Sequence, residues 1–205
     1  GNIRRNNLSD FTNIKRNGKI AMKLQDGDDL VGVMPCNDTD DVLLATRDGK
    51  AIRFGVEAVR VFRGRDSTGV RGIRLLGNDC VVSMSVITDD ADQFVLSVTE
   101  NGYGKRTPVR DYRRSGRGGQ GVANIETSKR NGKVMASFSV VDDDQLMLVT
   151  NMGQVIRIRV YGGEGDSIRI ASRKTQGVRL FDVADDKNEK VVSAGLVREA
   201  DEDDE

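Results

Sequence analysis

The chain has 205 residues, of which 37% are hydrophobic and 31% charged, with 23 glycines, 2 prolines, no tryptophan and no histidine. That balance suits a thin β architecture full of tight turns better than a thick two-layer α/β enzyme. Basic and acidic residues are equal at 32 each, so net charge alone argues against a nucleic-acid partner, a reading that reverses once the charges are placed along the chain.

Some function classes drop out early. No apolar run approaches the roughly 20 residues needed to span a bilayer, and the opening Gly1-Asn2-Ile3-Arg4-Arg5 carries no apolar signal-peptide core. Cys36 and Cys80 stand apart from each other and from any second soft ligand, which leaves no zinc site and reads as reduced thiols of a cytosolic protein rather than a disulfide.

In chain order, Gly1 with Arg5 four positions later, then Gly18-Lys19, forms the end of a repeat already under way. The next repeat begins with the apolar run Val42-Leu43-Leu44 and the turn Thr46-Arg47-Asp48-Gly49, with Arg53 four residues on; Gly64-Arg65 stands five residues ahead of Gly69-Val70, and Val81 to Val86 closes the unit. The same series returns as Phe94-Val95-Leu96, Thr99-Glu100-Asn101-Gly102, Arg106, Gly116-Arg117, Gly121-Val122 and Val134 to Val140. It returns again as Leu146-Met147-Leu148, Thr150-Asn151-Met152-Gly153, Arg157, Ser172-Arg173 and Gly177-Val178. The first glycines step by 48, 53 and 51 residues and the second by 51, 52 and 56. Two landmarks keeping one period, with about four short strands in each, predict an all-β propeller-like disc of four-stranded blades. The expected units are a partial blade over 1–40, blades over about 41–92, 93–144 and 145–198, and an acidic tail over 199–205 too polar to order itself. Asp48-Gly49 and Asn101-Gly102 predict primed hairpin turns with positive φ at both positions. Gly116 to Gly121 loosely resembles a nucleotide loop, but no helix pattern follows it, so its glycines are expected to form turns.

The charges segregate with the repeat. Segments 1–23, 47–75, 100–130 and 151–181 hold 28 of the 32 basic residues and 9 of the 32 acidic ones. Acidic residues gather in the connections, at Asp38 to Asp41, Asp89-Asp90 and Asp142-Asp143-Asp144, and in the tail Glu199 to Glu205. Equivalent parts of successive blades face the same way, so the basic segments are expected to form a stripe along one rim, the footprint of a phosphate backbone. Only 4% of residues are aromatic, and no ring cluster offers a stacking platform for single strands, which favours duplex DNA held through its backbone. The candidate backbone contacts are Arg5, Lys15, Arg16, Lys19, Arg53, Arg63, Arg65, Arg71, Lys105, Arg106, Arg113, Arg114, Arg117, Arg157, Arg169, Arg173 and Lys174. Arg65, Arg117 and Arg173 share one register and are expected at equivalent places.

The stretches Asn101-Gly102-Tyr103-Gly104-Lys105-Arg106-Thr107, Gly69-Val70-Arg71-Gly72-Ile73-Arg74-Leu75, Leu8-Ser9-Asp10-Phe11, Gly18-Lys19-Ile20-Ala21-Met22-Lys23-Leu24 and Arg173-Lys174-Thr175-Gln176-Gly177-Val178 resemble blade motifs of the DNA gyrase A C-terminal domain family. The resemblance runs from Gly1 to about Val197 and implies a β-pinwheel, a disc in which neighbouring blades exchange strands and DNA bends around the basic edge. It further implies a non-catalytic module of an ATP-hydrolysing type IIA topoisomerase that introduces negative supercoils. ATP and Mg would then belong to other domains and no cofactor to this chain. The implied partners are double-stranded DNA and the rest of gyrase A together with gyrase B in a heterotetramer, with no membrane and no small-molecule substrate, in a cytoplasmic, nucleoid-associated setting. The family domain has about six blades and a Gln-Arg-Arg-Gly-Gly-Lys-Gly box needed for wrapping; Ser115-Gly116-Arg117-Gly118-Gly119-Gln120-Gly121 lies in that blade register but lacks two of the charges, so it reads as an ordinary blade loop that can touch phosphate. The related domain of topoisomerase IV and a protein-binding propeller are the alternatives. A propeller hydrolase is disfavoured, because its candidate carboxylates at Asp142 to Asp144 fall in a blade connection, and no chemistry is assigned to Tyr103, Tyr112 or Tyr161.

Overall fold

Each apolar run ahead of a Thr-x-x-Gly turn becomes a central blade strand, and the glycine closes the hairpin to the next strand. The computed structural model describes residues 1–64, 66–88, 93–163, 166–184 and 188–197; Arg65, the Asp89-Asp90 pair and the acidic tail lie outside them. In the first whole unit, β2 (Asp41–Thr46) pairs antiparallel with β3 (Lys50–Gly55) on one side and β5 (Val81–Ile87) on the other. The next repeats this with β6 (Phe94–Thr99), β7 (Tyr103–Pro108) and β9 (Val134–Val140). The last uses β10 (Gln145–Thr150), β11 (Val155–Arg159) and β13 (Val191–Val197).

Where a blade has a fourth strand, that strand comes from the following repeat. The Gly-Val landmarks form two-residue strands: β4 (Val70–Arg71) pairs with β1 (Asn2–Ile3), β8 (Val122–Ala123) with β3, and β12 (Val178–Arg179) with β7. The resulting sheets run β5-β2-β3-β8, β9-β6-β7-β12 and β13-β10-β11, with β1-β4 as a two-stranded remnant. This is a β-pinwheel. Strands β5, β9 and β13 lie beside one another at the inner side, where Ser83 and Ser85 Oγ accept the backbone N–H groups of Ser137 and Ser139. The donated strands therefore form the outer edge.

The hairpins explain the recurring letters of the turn. The N–H of Gly49, Gly102 and Gly153 donates to the carbonyl of Thr46, Thr99 and Thr150, each at 3.1 Å, and the Thr46 and Thr150 hydroxyls also accept the N–H of Lys50 and Gln154. Positive φ occurs at these glycines, +85°, +75° and +84°, and at neither Asp48 nor Asn101. The primed turns expected from those dipeptides are therefore replaced by a three-residue loop whose one left-handed position is glycine, which needs no second positive φ. A register shift sits just before each threonine, the same irregularity three times over.

Apolar side chains fill the gaps between blades. Val42 and Leu44 face Ile3, Ile52, Phe54 and Ile73 on one side of the first whole blade, and Leu43 and Ala45 face Ile87, Val95, Val109 and Tyr112 on the other. Because both faces are covered, all six residues of β2 are buried. In the last blade only one face is covered, by Leu96, Val98 and Val140 against Leu146 and Leu148, so burial along β10 alternates. Cys36 and Cys80 are free and exposed, and no helix of the described residues is long and apolar enough to cross a membrane.

Candidate nucleic-acid interface

After the hairpin the second and third repeats cross to the preceding blade through a short 3-10 turn, Val56–Ala58 and Val109–Asp111, and Leu8–Phe11 is the corresponding turn of the opening repeat. In the second and third the turn carries a buried valine, Val56 and Val109, with a second buried side chain three residues on, Val59 and Tyr112. The last connector places Ile168 in the same position, bridged like the others to the preceding blade's strand: Arg5 to Val61, Arg53 to Arg114 and Arg106 to Ile170. Connector and donated strand both lie on the side of the blade away from β5, β9 and β13.

The arginine four residues after the turn glycine is engaged at a blade junction in three of the four repeats. Arg5 Nε donates to the Val59 carbonyl, Arg53 Nη1 to the carbonyls of Val109 at 3.2 Å and Tyr112 at 3.5 Å, and Arg106 Nε to that of Ile168 at 2.8 Å. Each also pairs with a carboxylate: Arg5 with Asp38, Arg53 with Asp41 at 2.7 Å, and Arg106 with Asp142. Arg106 lies against the rings of Phe94 and Tyr161, 4.9 and 5.6 Å from their centroids. These residues latch one blade to the connector of the next, a role the sequence did not assign them, and the donors that do so are turned inward rather than toward solvent. Arg157, in the same register, is exposed and donates to Gln145 Oε1 at 2.5 Å.

Lys105 is also interior. Its ammonium is fully buried and donates to the carbonyls of Ser172 and Arg173, under the loop that carries Arg173 and Lys174. Burial, with the Arg173 charge nearby, lowers its pKa to about 8. Folding therefore costs most below pH 8, where the ammonium is charged in both states. Stability should rise with pH between about 8 and the unfolded lysine range near 10.4, where the unfolded chain binds the extra proton, by a few kcal/mol. Denaturant titrations across that window should show this slope in the wild type and a weaker one in Lys105→Met.

Further candidates are engaged at the surface. Arg114 pairs with Asp41 and Glu57, both at 2.8 Å, and Lys19 Nζ donates to the Asp10 carbonyl at 2.9 Å. Arg117 and Arg173 share a role as well as a register: Nη1 of each donates to the carbonyl of the second residue of the adjoining donated strand, Arg71 at 3.0 Å and Ala123 at 2.9 Å. Arg65, the third of that set, lies outside the described residues.

The remaining candidates, Lys15, Arg16, Arg63, Arg71, Arg113, Arg169 and Lys174, are exposed, and none makes a side-chain hydrogen bond or ion pair among the described residues. Arg113 and Arg169 each follow a buried connector residue, Tyr112 or Ile168. Arg60 holds the same place after Val59, exposed and lying over the Phe62 ring at 4.4 Å. Sequence reasoning missed Arg60; the signal was the seven-residue spacing shared by Arg53 with Arg60 and Arg106 with Arg113. Arg60, Arg113 and Arg169 thus form a register of free guanidinium groups, one per blade junction. Tyr112 lies in the core, where its hydroxyl donates to Asn124 Oδ1 at 2.6 Å and burial pushes its pKa up. No group of three or more metal-ligating side chains occurs among the described residues.

Comparison with known proteins agrees with this architecture. The family described as DNA gyrase C-terminal domain, beta-propeller, matches residues 1–37, 40–88, 93–140 and 144–198. The chain is 38% identical over 251 aligned positions to the DNA gyrase A protein of Rickettsia bellii, covering 100% of this chain and 27% of that protein. It is 42% identical over 188 positions to the DNA gyrase A protein of Salmonella typhimurium, covering 92% of this chain and 20% of that protein. The chain thus spans about a quarter of the length of the relatives it matches. Among solved structures, a DNA gyrase A C-terminal domain superposes with a TM-score of 0.81 at 25% identity, covering 96% of this chain and 62% of the other. The C-terminal domain of DNA topoisomerase IV superposes with a TM-score of 0.85 at 24% identity, covering 96% and 59%, a likeness of fold.

Proposed function

Because the chain belongs to the DNA gyrase C-terminal domain family, we propose that it binds duplex DNA through the phosphate backbone along the outer edge of its blades and bends the duplex around that edge. The observation that carries this reading is the set of exposed cations that make no side-chain hydrogen bond or ion pair among the described residues, with Arg60, Arg113 and Arg169 recurring once per blade junction. Guanidinium groups with all donors free match phosphate oxygens bidentately, and a curved row of them favours a curved backbone. Contacts to phosphate carry no sequence information, so binding is expected to be nearly independent of sequence.

In this reading the chain acts without chemistry of its own, as the DNA-bending part of a gyrase. The cleavage and ATP-consuming steps, with ATP and Mg, belong to the rest of gyrase A and to gyrase B, and the bend presents DNA for negative supercoiling. Replacing Arg60, Arg113 and Arg169 together with alanine should leave the fold intact and lower the slope of log affinity against log salt by about 3. An unchanged slope in a folded triple variant would remove the junction arginines from the interface.

A further inference from the structure

At the hairpin end of the blade built on β6 and β7, two arginines converge on one phenol. Tyr103 opens β7 and stands opposite Arg179 of the donated strand β12. It is 5% exposed, and its oxygen accepts from Arg179 Nη2 at 3.1 Å and from Arg130 Nε at 3.4 Å. Both guanidinium groups also lie against the ring, 5.5 and 5.0 Å from its centroid. Arginine has no acceptor to offer, so the hydroxyl hydrogen of this buried tyrosine has no partner among the described residues. Arg179 keeps one carboxylate, the largely exposed Asp182, on its Nη1, and Arg130 pairs with none among the described residues. The hydrogen bond from Arg179, followed by that from Arg130, lowers the phenol's pKa, the signature of positive charge gathered without a matching anion.

The protein holds this arrangement rigidly. Arg130 sits on a tight turn, residues 128–132, closed by the Gly132 N–H on the Ser128 carbonyl at 2.8 Å. Asn131 is fully buried inside it: Nδ2 donates to the Glu126 and Gln176 carbonyls at 2.8 and 3.1 Å, and Oδ1 accepts the Ser128 N–H at 2.8 Å. Asn101, in the hairpin between β6 and β7, donates through Nδ2 to the carbonyls of Lys129 and Arg130 at 3.2 and 3.0 Å. These bonds fix the backbone from which Arg130 reaches Tyr103. The repeat itself does not demand them, since at the preceding junction Lys50 and Ala123 hold the places of Tyr103 and Arg179.

We propose that Tyr103, Arg130 and Arg179 form a clamp for one backbone phosphate of the bound duplex, separate from the connector arginines. The clamp rests on the duplex-binding reading above. One phosphate oxygen accepts the unused O–H of Tyr103, and the others meet the two guanidinium forks, the planar donors best matched to them. Arg179 exchanges the exposed Asp182 for the phosphate. Along β7, Arg179 lies opposite Tyr103, whereas Ile170, next to Arg169, is bridged to Arg106 three residues on. The clamp therefore stands about 10 Å along the strand from the connector register. The grooves of a duplex separate its two backbones by about 6 and 12 Å, so one duplex reaches both.

Fluorescence anisotropy with a labelled duplex across a salt series tests the clamp. Arg130→Ala and Arg179→Ala together should lower the slope of log affinity against log salt by about 1. Tyr103→Phe keeps the ring and both cations and removes only the hydroxyl, so affinity should fall about tenfold while the slope stays that of the parent. Circular dichroism checks the fold, and Tyr103→Phe carries the test should the double variant not fold. Replacing chloride with inorganic phosphate at fixed ionic strength distinguishes the sources of the oxyanion. A parent affinity that drops at millimolar phosphate, with Tyr103→Phe insensitive, would assign the clamp to a free phosphate ion and overturn its assignment to the backbone. A parent chain without salt-dependent binding rejects the duplex reading and the clamp with it. Salt-dependent binding by the parent, with a parent-like slope in the folded double variant or a parent-like affinity in Tyr103→Phe, overturns the clamp alone.

Discussion

Raising the salt concentration from 50 to 200 mM should lower the affinity of the chain for duplex DNA by about 10⁴-fold. Each neutralised phosphate releases condensed counterions, and log affinity falls with log salt at about 0.9 per contact. The seven exposed candidates without protein partners would set a slope near 6 if all engaged. Arg53, Lys105 and Arg106 are expected to add little to it, since their largely buried side chains are turned onto carbonyls and carboxylates of the protein. Fluorescence anisotropy with one labelled duplex across the salt series measures the slope. A flat response would mean that the edge cations do not meet phosphate.

The second large effect concerns the strand exchange. Gly121→Ala should lower stability by more than about 3 kcal/mol, whereas Gly153→Ala should cost about 1 kcal/mol. Both glycines hold positive φ, +73° and +84°, so both alanines meet the left-handed penalty. Only at position 121 does the new methyl group also lie 2.3 Å from the carbonyl oxygen of Ala51, which moves only if β8 leaves the edge of β3. In a domain of this size the difference corresponds to a fall in Tm of about 10 °C against about 3 °C. Thermal melts of the two variants side by side separate backbone strain from the closeness of the exchanged strand, and equal shifts would mean that the donated strand contributes little.

Much of this fold was legible because the repeat wrote the same physical requirement three times. A glycine that must hold positive φ, and a threonine whose hydroxyl and carbonyl close the hairpin, leave letters at fixed spacing. What the letters could not convey is which blade each strand serves. Gly69-Val70 reads as part of its own unit, and only the pairing with Asn2–Ile3 shows that it belongs to the preceding one. The same ambiguity hides what the arginines touch within the protein. Arg5, Arg53 and Arg106 recur in strict register because each must reach a connector carbonyl at a blade junction, a demand for one position and one length. A phosphate backbone makes a looser demand: Lys15 and Lys174 stand three residues ahead of Gly18 and Gly177, but Asp66 and Gly118 hold that place in the other two repeats. Regularity of a charge in a repeat is thus as much a sign of blade contacting blade as of ligand. Arg60, Arg113 and Arg169 are regular for a third reason: the buried Val59, Tyr112 and Ile168 fix the connector just before them and turn the next side chain outward.

Burial carried a further lesson. The runs Val42-Leu43-Leu44 and Leu146-Met147-Leu148 are nearly alike in composition, yet one is covered on both faces and the other on one. The number of neighbours a blade has is a property of its place in the series, which composition does not record. For the same reason Leu8, Ile20 and Val33 look like core residues in the sequence and are exposed in the structure.

The central claim is that duplex DNA follows the outer edge and is bent by it. The most direct test is energy transfer between dyes on the two ends of a duplex of about 40 base pairs, a length that stays nearly straight when free, titrated with the chain at low salt. The account predicts a rise in transfer efficiency that saturates with binding, is the same for unrelated sequences, and shrinks when Arg60, Arg113 and Arg169 are replaced with alanine. Saturated binding that leaves the end-to-end distance of the duplex unchanged would contradict it.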